Sequence, residues 1–220
     1  MNREKMTKTE LLEFFKKLPI RGPNLPNLSH YKGFFYGLTP AERVLDVGAG
    51  HGELARGFKR CQYECVEISA ARADILRKKG FQVYEQPFEE FTTNKPYDRV
   101  VFSQVLMHLY SPDEIIKKAY SILRTGGLFI SSQYNQESII PQSKKAITHL
   151  FTPKTLGDIL EKHGFQVLFV RFRPTSMYTY LRLQNVKGSK KFILKIIDQP
   201  LKFIMTLGLS NYFTIIAKKK

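Results

Sequence analysis

The residues of this chain best suited to chemistry fall in one short run, Asp46-Val47-Gly48-Ala49-Gly50-His51-Gly52-Glu53. The apolar segment Arg43–Val47 reads as a buried strand, and Glu53–Arg60 as a helix. Between them, glycine allows a tight turn and close backbone approach to a ligand. The start of a helix adds backbone N–H groups with no partner of their own. Dinucleotide-binding loops space their glycines G-x-G-x-x-G. Here the third glycine, Gly52, comes one residue early, and Glu53 takes the place of the expected one. Asp46 stands two positions before the first glycine. A carboxylate there repels a pyrophosphate and attracts a cation.

A second acid follows at a telling interval. Tyr63-Glu64-Cys65-Val66-Glu67 reads as a strand ending on Glu67, 21 residues after Asp46. Rossmann-type folds place an acid about 20 residues on, at the end of the second strand, to bond a ribose. A ligand with a ribose and a cationic amino-acid end suits both carboxylates. S-adenosylmethionine, with its sulfonium and amino group, is such a ligand.

The histidines are the candidate proton carriers. His108 follows the loop after a strand at Asp98–Phe102 and is a candidate general base, needed only if the acceptor must lose a proton. Its alternative role is to pack under that loop and orient it. His149 precedes a helix cap and is a second candidate. His51, inside the glycine loop, suits cofactor better than substrate. His163, in the last turn of a helix, reads as a surface residue offsetting the helix dipole. Tyr31 and Tyr36 are candidates for the pocket wall.

Strand-like and helix-like segments alternate, which predicts an α/β fold with a parallel sheet. Residues 7–17 read as a helix opened by a capping box of Thr7 and Glu10. Residues 18–41 contain Pro19, Pro23, Pro26 and Pro40 and read mostly as loop. Further helices are expected at Ala70–Lys79, stopped by Gly80, and from Ser111 to about Leu123. The latter has Ser111 as N-cap, Pro112 at N1 and Glu114 at N3. Another is capped by Thr152 and ends at Gly164. Strands are expected at Gln82–Tyr84, Leu128–Ser132, Phe165–Phe172 and Tyr212–Ala217. The whole reads as one domain over 1–220: a helical lead over 1–41, a core over 42–172, and insertions at 134–150 and 176–210.

In this order and spacing the residues resemble class I S-adenosylmethionine-dependent methyltransferases. Val44–Leu54 resembles their motif I, Glu67 the ribose acid of motif II, and Tyr97–Leu109 the fourth strand with its exit loop. Leu123–Leu128 resembles the turn before strand five. His149-Leu150-Phe151-Thr152-Pro153, with Leu156, Leu160 and Gly164-Phe165, is similar to the small-molecule branch that includes ubiquinone-biosynthesis-like O-methyltransferases. The resemblance covers roughly residues 40–172. It implies a Rossmann-like, doubly wound, mostly parallel seven-stranded sheet with the last strand antiparallel and helices on both faces. It also implies S-adenosyl-L-methionine as cofactor and S-adenosyl-L-homocysteine as product.

Roles follow from the resemblance position by position. Asp46 with Gly48, Ala49, Gly50, His51 and Gly52 would hold the methionine part, and Glu67 the ribose hydroxyls. The segment Gln86–Glu89, with Phe88 and Glu89 as its cofactor-binding candidates, would border the adenine, and Ile68 is a further cofactor-binding candidate. Ser103 and Gln104 would lie beside the sulfonium, where substrate enters. Two departures from the family matter. Gln86 and Pro87 stand where an adenine-binding Asp is common, leaving that contact to Gln86, Glu89 or backbone. Gln104 and Met107 replace the acids of the usual exit loop, so no metal is expected.

The charge is strongly basic, with 35 Lys and Arg against 19 Asp and Glu, net +16. Such a surface attracts polyanions without selecting among nucleic acid, anionic lipid and acidic small molecules. The exit loop Ser103-Gln104-Val105-Leu106 lacks the Asn- or Asp-Pro-Pro-aromatic run of base-amine methylation. Cys61 and Cys65 flank the second strand, away from any site for nucleophilic attack on a base. A nucleic-acid methyltransferase is therefore the weaker alternative, as is a silent fold that only binds. The expected acceptor is a small-molecule or lipid-like compound methylated on O or N. No apolar run reaches the ~18 residues of a membrane span, and with no apolar segment after the polar Met1–Lys8 a secretory signal is not expected. A cytoplasmic protein is expected. The basic, apolar stretch Lys190–Leu207 resembles an amphipathic segment for peripheral contact with an anionic membrane. Nothing in the sequence sets an oligomeric state.

Overall fold

A computed structural model of the chain describes residues 7–17, 28–137, 148–173 and 212–220. Its strands are β1 (Arg43–Val47), β2 (Gln62–Val66), β3 (Gln82–Tyr84), β4 (Tyr97–Ser103), β5 (Leu123–Tyr134), β6 (Phe165–Arg173) and β7 (Tyr212–Lys219). They form one seven-stranded sheet in the order β3-β2-β1-β4-β5-β7-β6. The pairs from β3 to β5 are parallel, and β7 runs antiparallel to both β5 and β6. The expected architecture is thus the observed one. The strand order reverses at β1 and β4, whose carboxyl ends lie side by side. In open α/β sheets this is where ligands bind.

The two faces of the sheet are separately covered. Alternate side chains of a strand point to opposite faces. Leu45 and Val47 pack with Ile115 and Ile116 of α3 (Pro112–Ile122) and Leu156 and Leu160 of α4 (Pro153–Lys162). Val44 joins Leu54, Phe58 and Leu76 on the other face, where α2 (Ala70–Lys78) lies. Strands buried on both sides read as continuous apolar runs, and β1 and β4 do.

Local signals explain most helix ends. α1 (Lys8–Lys16) carries the full capping box of Thr7 and Glu10. In α4, Thr152 forms a capping box with Thr155. α2 gives way to Gly80 at φ +84°. α3 differs from expectation: Ser111 is its N-cap but makes no capping hydrogen bond. Pro112 at N1 and the acids Asp113 and Glu114 in the first turn remain favourable to a helix start.

Three further differences have physical causes. The helix expected at Glu53–Arg60 is only a 3-10 turn, Leu54–Gly57. Glu53 makes no capping bond there, and the ring of Phe35 occupies the place where a Cβ on residue 57 would project. That ring comes from a second 3-10 segment, Leu28–Phe35, within the stretch expected as loop. Phe34 is buried on this face, and Phe35 meets Phe58 edge-on at 4.9 Å. Aromatic side chains thus cover sheet that a longer helix would otherwise cover. Finally, β5 starts at Leu123 and passes through the Gly126-Gly127 turn as an irregularity in its pairing with β4.

The insertion at 176–210, the basic stretch Lys190–Leu207 and most of 134–150 lie outside the described residues. Among the described residues no helix is long and apolar enough to cross a membrane.

Candidate active site

At the carboxyl ends of β1 and β4 the chain encloses a cavity of about 560 Å³. Its floor is Asp46 and the glycine loop, one wall is Glu67 and Ile68, and the opposite wall is Ser103 and Gln104. The loop is wound tightly against β2. Gly48 and Ala49 donate to the carbonyl of Val66 at 2.8 and 3.4 Å. Gly48 and Gly50 have φ of +68° and +60°. A Cβ on Gly48 would stand 2.5 Å from Cγ2 of Val105, so the exit loop of β4 fits directly onto the glycine loop. Gln104 also has positive φ, +61°. Its backbone N–H and side-chain amide both bond the carbonyl of Ser132, at 3.0 and 3.1 Å. Such over-determined backbone is typical of functional sites.

The two acids differ in their bonding. Asp46 is only 2% exposed. The Tyr63 hydroxyl donates to its Oδ2, while Oδ1 is buried without any hydrogen-bond partner. Burial pushes the Asp46 carboxyl up to about 7; Glu53 and Glu67 act in the same sense and the Tyr63 bond against it. Glu67 is satisfied: Oε2 accepts from the Gly50 N–H at 2.9 Å and Oε1 from Ser69 N–H at 3.0 Å. Each oxygen keeps a further lone pair for a ligand hydroxyl.

The expected site residues are not all gathered. Asp46, Gly48, Ala49, Gly50, Glu67, Ile68, Glu89, Ser103, Gln104 and His108 line the cavity. His51 and Gly52 instead line a second cavity, of about 580 Å³, behind the loop. The His51 carbonyl accepts from Nζ of Lys79 at 2.5 Å. A Cβ on Gly52 would press on Leu76 at 2.9 Å, so this glycine serves the contact with α2. Phe88 is buried in the core, edge-on to Phe102 at 5.5 Å. His149 is absent from the wall; its Nδ1 is 2.9 Å from the Thr148 hydroxyl. Its N–H donates to the Met107 carbonyl at 3.2 Å, which places it behind the exit loop. Tyr31 lines the cavity, whereas Tyr36 packs on Phe169 at 4.7 Å. His163 sits 3.1 Å from Asp113.

Other wall residues were not anticipated. Lys8, Leu11, Leu12 and Phe15 bring α1 over the cavity, and the Phe15 ring lies 5.0 Å from that of His108. Capping signals revealed the helix but not where it docks. Arg72 also lines the cavity. Its position in the first turn of a helix that begins just after the ribose acid was the available signal.

An antiparallel β7 inserted between β5 and β6, on a sheet otherwise wound like a dinucleotide-binding fold, defines the class I S-adenosylmethionine-dependent methyltransferases. A sequence profile of the methyltransferase domain matches residues 4–170, and the chain belongs to that family. Solved structures agree on the fold. One is a SAM-dependent methyltransferase from Archaeoglobus fulgidus, with TM-score 0.62 and 23% identity over 87% of this chain and 91% of that one. Another, from Mesorhizobium loti, has TM-score 0.66 and 15% identity over 89% of this chain and 100% of that one. Two curated relatives carry the name ubiquinone biosynthesis O-methyltransferase. That from Caulobacter sp. (strain K31) is 27% identical over 112 residues, 46% of this chain and 44% of its own. That from Xanthomonas euvesicatoria pv. vesicatoria (strain 85-10) is 33% identical over 101 residues, 41% of this chain and 42% of its own. The matches thus span less than half the length of either relative. The cofactor is S-adenosylmethionine, and the residues fit it: a buried carboxylate oxygen without a donor at the floor, and glycine backbone, Gly48 and Gly50, in the cavity wall.

Proposed function

We propose that this enzyme methylates an oxygen or nitrogen of a small, largely apolar acceptor that enters between α1 and the exit loop of β4. The observation that carries this reading is the character of the wall there. Leu11, Leu12, Phe15 and Leu109 line the cavity together with His108, and the Phe15 ring lies 5.0 Å from the His108 imidazole, which gives an apolar wall beside a side chain able to accept a proton. The names of the two curated relatives favour oxygen over nitrogen.

The cofactor supplies a methyl group activated on a sulfonium. The chain supplies placement, which is much of the work in an in-line displacement. Oδ1 of Asp46 accepts a hydrogen bond from the amino group, and Glu67 accepts from the ribose hydroxyls. Ile68 and Glu89 border the base. Ser103 and Gln104 flank the reacting centre. α1 helps to exclude water above it. His108 takes the proton when the acceptor is a hydroxyl or an ammonium that must be deprotonated.

Two measurements test this. Calorimetric titration with S-adenosylmethionine should show binding that Asp46→Ala weakens at least ~10-fold, about 1.4 kcal/mol. A methyl-transfer screen of phenols, catechols and amines should then find an acceptor whose turnover falls in His108→Ala while cofactor affinity holds. Turnover of an RNA, but of no small acceptor, would overturn the substrate class.

A further inference from the structure

β2 brings an unusual side chain to the floor of the site. Tyr63 pairs opposite Val44 in the parallel ladder, two residues before Asp46, and points to the same face of the sheet as Asp46. Its ring is buried between Phe58, stacked at 5.6 Å, and Phe81, edge-on at 5.4 Å. Held there, the phenol donates a hydrogen bond to Oδ2 of Asp46. A valine or isoleucine, the usual filling of a buried strand, has no proton to give. Oδ1, the other oxygen of the same carboxylate, has no partner.

We infer that Tyr63 is a positioning residue for the cofactor: its hydroxyl fixes one oxygen of Asp46, helps keep that carboxylate ionised inside the protein, and leaves the other oxygen for the cofactor's amino group. This rests on the assignment of Asp46 to the cofactor made above. The surroundings show why ionisation needs help. Asp46 is faced from β2 by Cys65 and Glu67 and from the 3-10 turn by Glu53, all of them neutral or negative. The cations of the cavity, Lys8 of α1 and Arg72 of α2, form no ion pair with it, and Glu89, His108, Tyr31 and Tyr110 complete the titratable lining. Burial, Glu53 and Glu67 all push the carboxyl up, and the Tyr63 bond is what opposes them. Tyr63 itself is driven well above its ordinary range, chiefly by burial and next by Asp46, so it stays a donor throughout the working pH range. A carboxylate is a much stronger acceptor for an ammonium than a neutral carboxyl is.

The test is the affinity of the full chain for S-adenosylmethionine, by calorimetry from about pH 6 to about pH 9, the span around a perturbed carboxyl. The native chain, Tyr63→Phe and Asp46→Asn are compared, with Asp46→Asn supplying the background of the ligand's own titration. Native affinity should rise as pH passes through about 7. In Tyr63→Phe the rise should move up by about one pH unit, giving a loss of roughly 5-fold at pH 7 that approaches ~10-fold toward pH 6 and closes at high pH. The Asp46 carboxyl carbon, followed by NMR in the ligand-free proteins, should show the same displacement. A Tyr63→Phe curve that superposes on the native one, or is weakened equally at every pH, would overturn the inference and leave Tyr63 a packing residue. Native-like binding by Asp46→Asn would instead overturn the assignment of Asp46 itself, and the inference with it.

Discussion

Asp46 works against the stability of the protein that carries it. An acid raised by burial contributes its stabilisation while protonated, below its unfolded value near 3.8, and loses it as pH climbs through about 7. The ligand-free protein at pH 8 therefore carries a buried carboxylate with one unmatched oxygen. Asp46→Asn should raise the melting temperature of the ligand-free protein more at pH 8 than at pH 5, since the penalty of the native carboxyl grows between about pH 4 and about pH 7. The same variant should lose most of the melting-temperature gain that S-adenosylmethionine gives the native chain. Thermal melts at the two pH values, with and without ligand, check both parts. At this scale the sequence was most legible where one ligand dictates residue types at fixed offsets, as with Asp46, Gly48 and Glu67. It was least legible where direction matters. Neighbours in a tight turn point to opposite sides, so His51 belongs to the glycine loop yet looks into the rear cavity. Phe88 and Glu89 divide in the same way between core and cavity.

Element by element, the strands were readable because burial on both faces leaves a continuous apolar run, and the parallel order followed from the alternation with helices. What the chain order hid was substitution of one covering element by another. The short Leu54–Gly57 turn leaves sheet exposed that Phe34 and Phe35 cover from a distant 3-10 segment, and no local pattern announces such a contact. The segment after Phe35 is tied down by a buried ion pair. Arg99 of β4, 2% exposed, bonds Glu42 and donates to the Tyr36 carbonyl at 2.7 Å. Burial raises the Glu42 carboxyl, but the bonds from Arg99 and Thr39 outweigh it and hold it below its usual range. Its contribution is therefore present above about pH 4.5 and lost as pH falls further. Glu42→Gln strands the Arg99 charge, and the expected cost near pH 7 is about 3 kcal/mol. Denaturant melts should show that difference shrinking toward acid pH, where the native carboxyl is also neutral.

For the molecule as a whole, composition and the order of elements were enough to define fold and cofactor class, while the acceptor is chosen by parts that meet only in three dimensions. α1 and the exit loop are separated by some ninety residues of chain, yet Phe15 and His108 are in ring contact. The surplus of positive charge, net +16, is a sum over the whole sequence. If it serves membrane contact through Lys190–Leu207, the chain should sediment with vesicles containing phosphatidylserine and not with neutral phosphatidylcholine vesicles. Raising salt to about 0.5 M should release it, since the Debye length then falls well below 10 Å. Equal sedimentation with both vesicle types would remove the electrostatic explanation.

The place of β7 has a consequence for synthesis. It is made after β5 and β6, yet lies between them and hydrogen-bonds to both. A ribosome that has released everything through Arg173 has therefore produced two strands whose shared native partner is still missing. Open edges invite pairing with other chains. A product truncated after Arg173 should therefore aggregate more readily than the full chain, which a sedimentation comparison of the two would show.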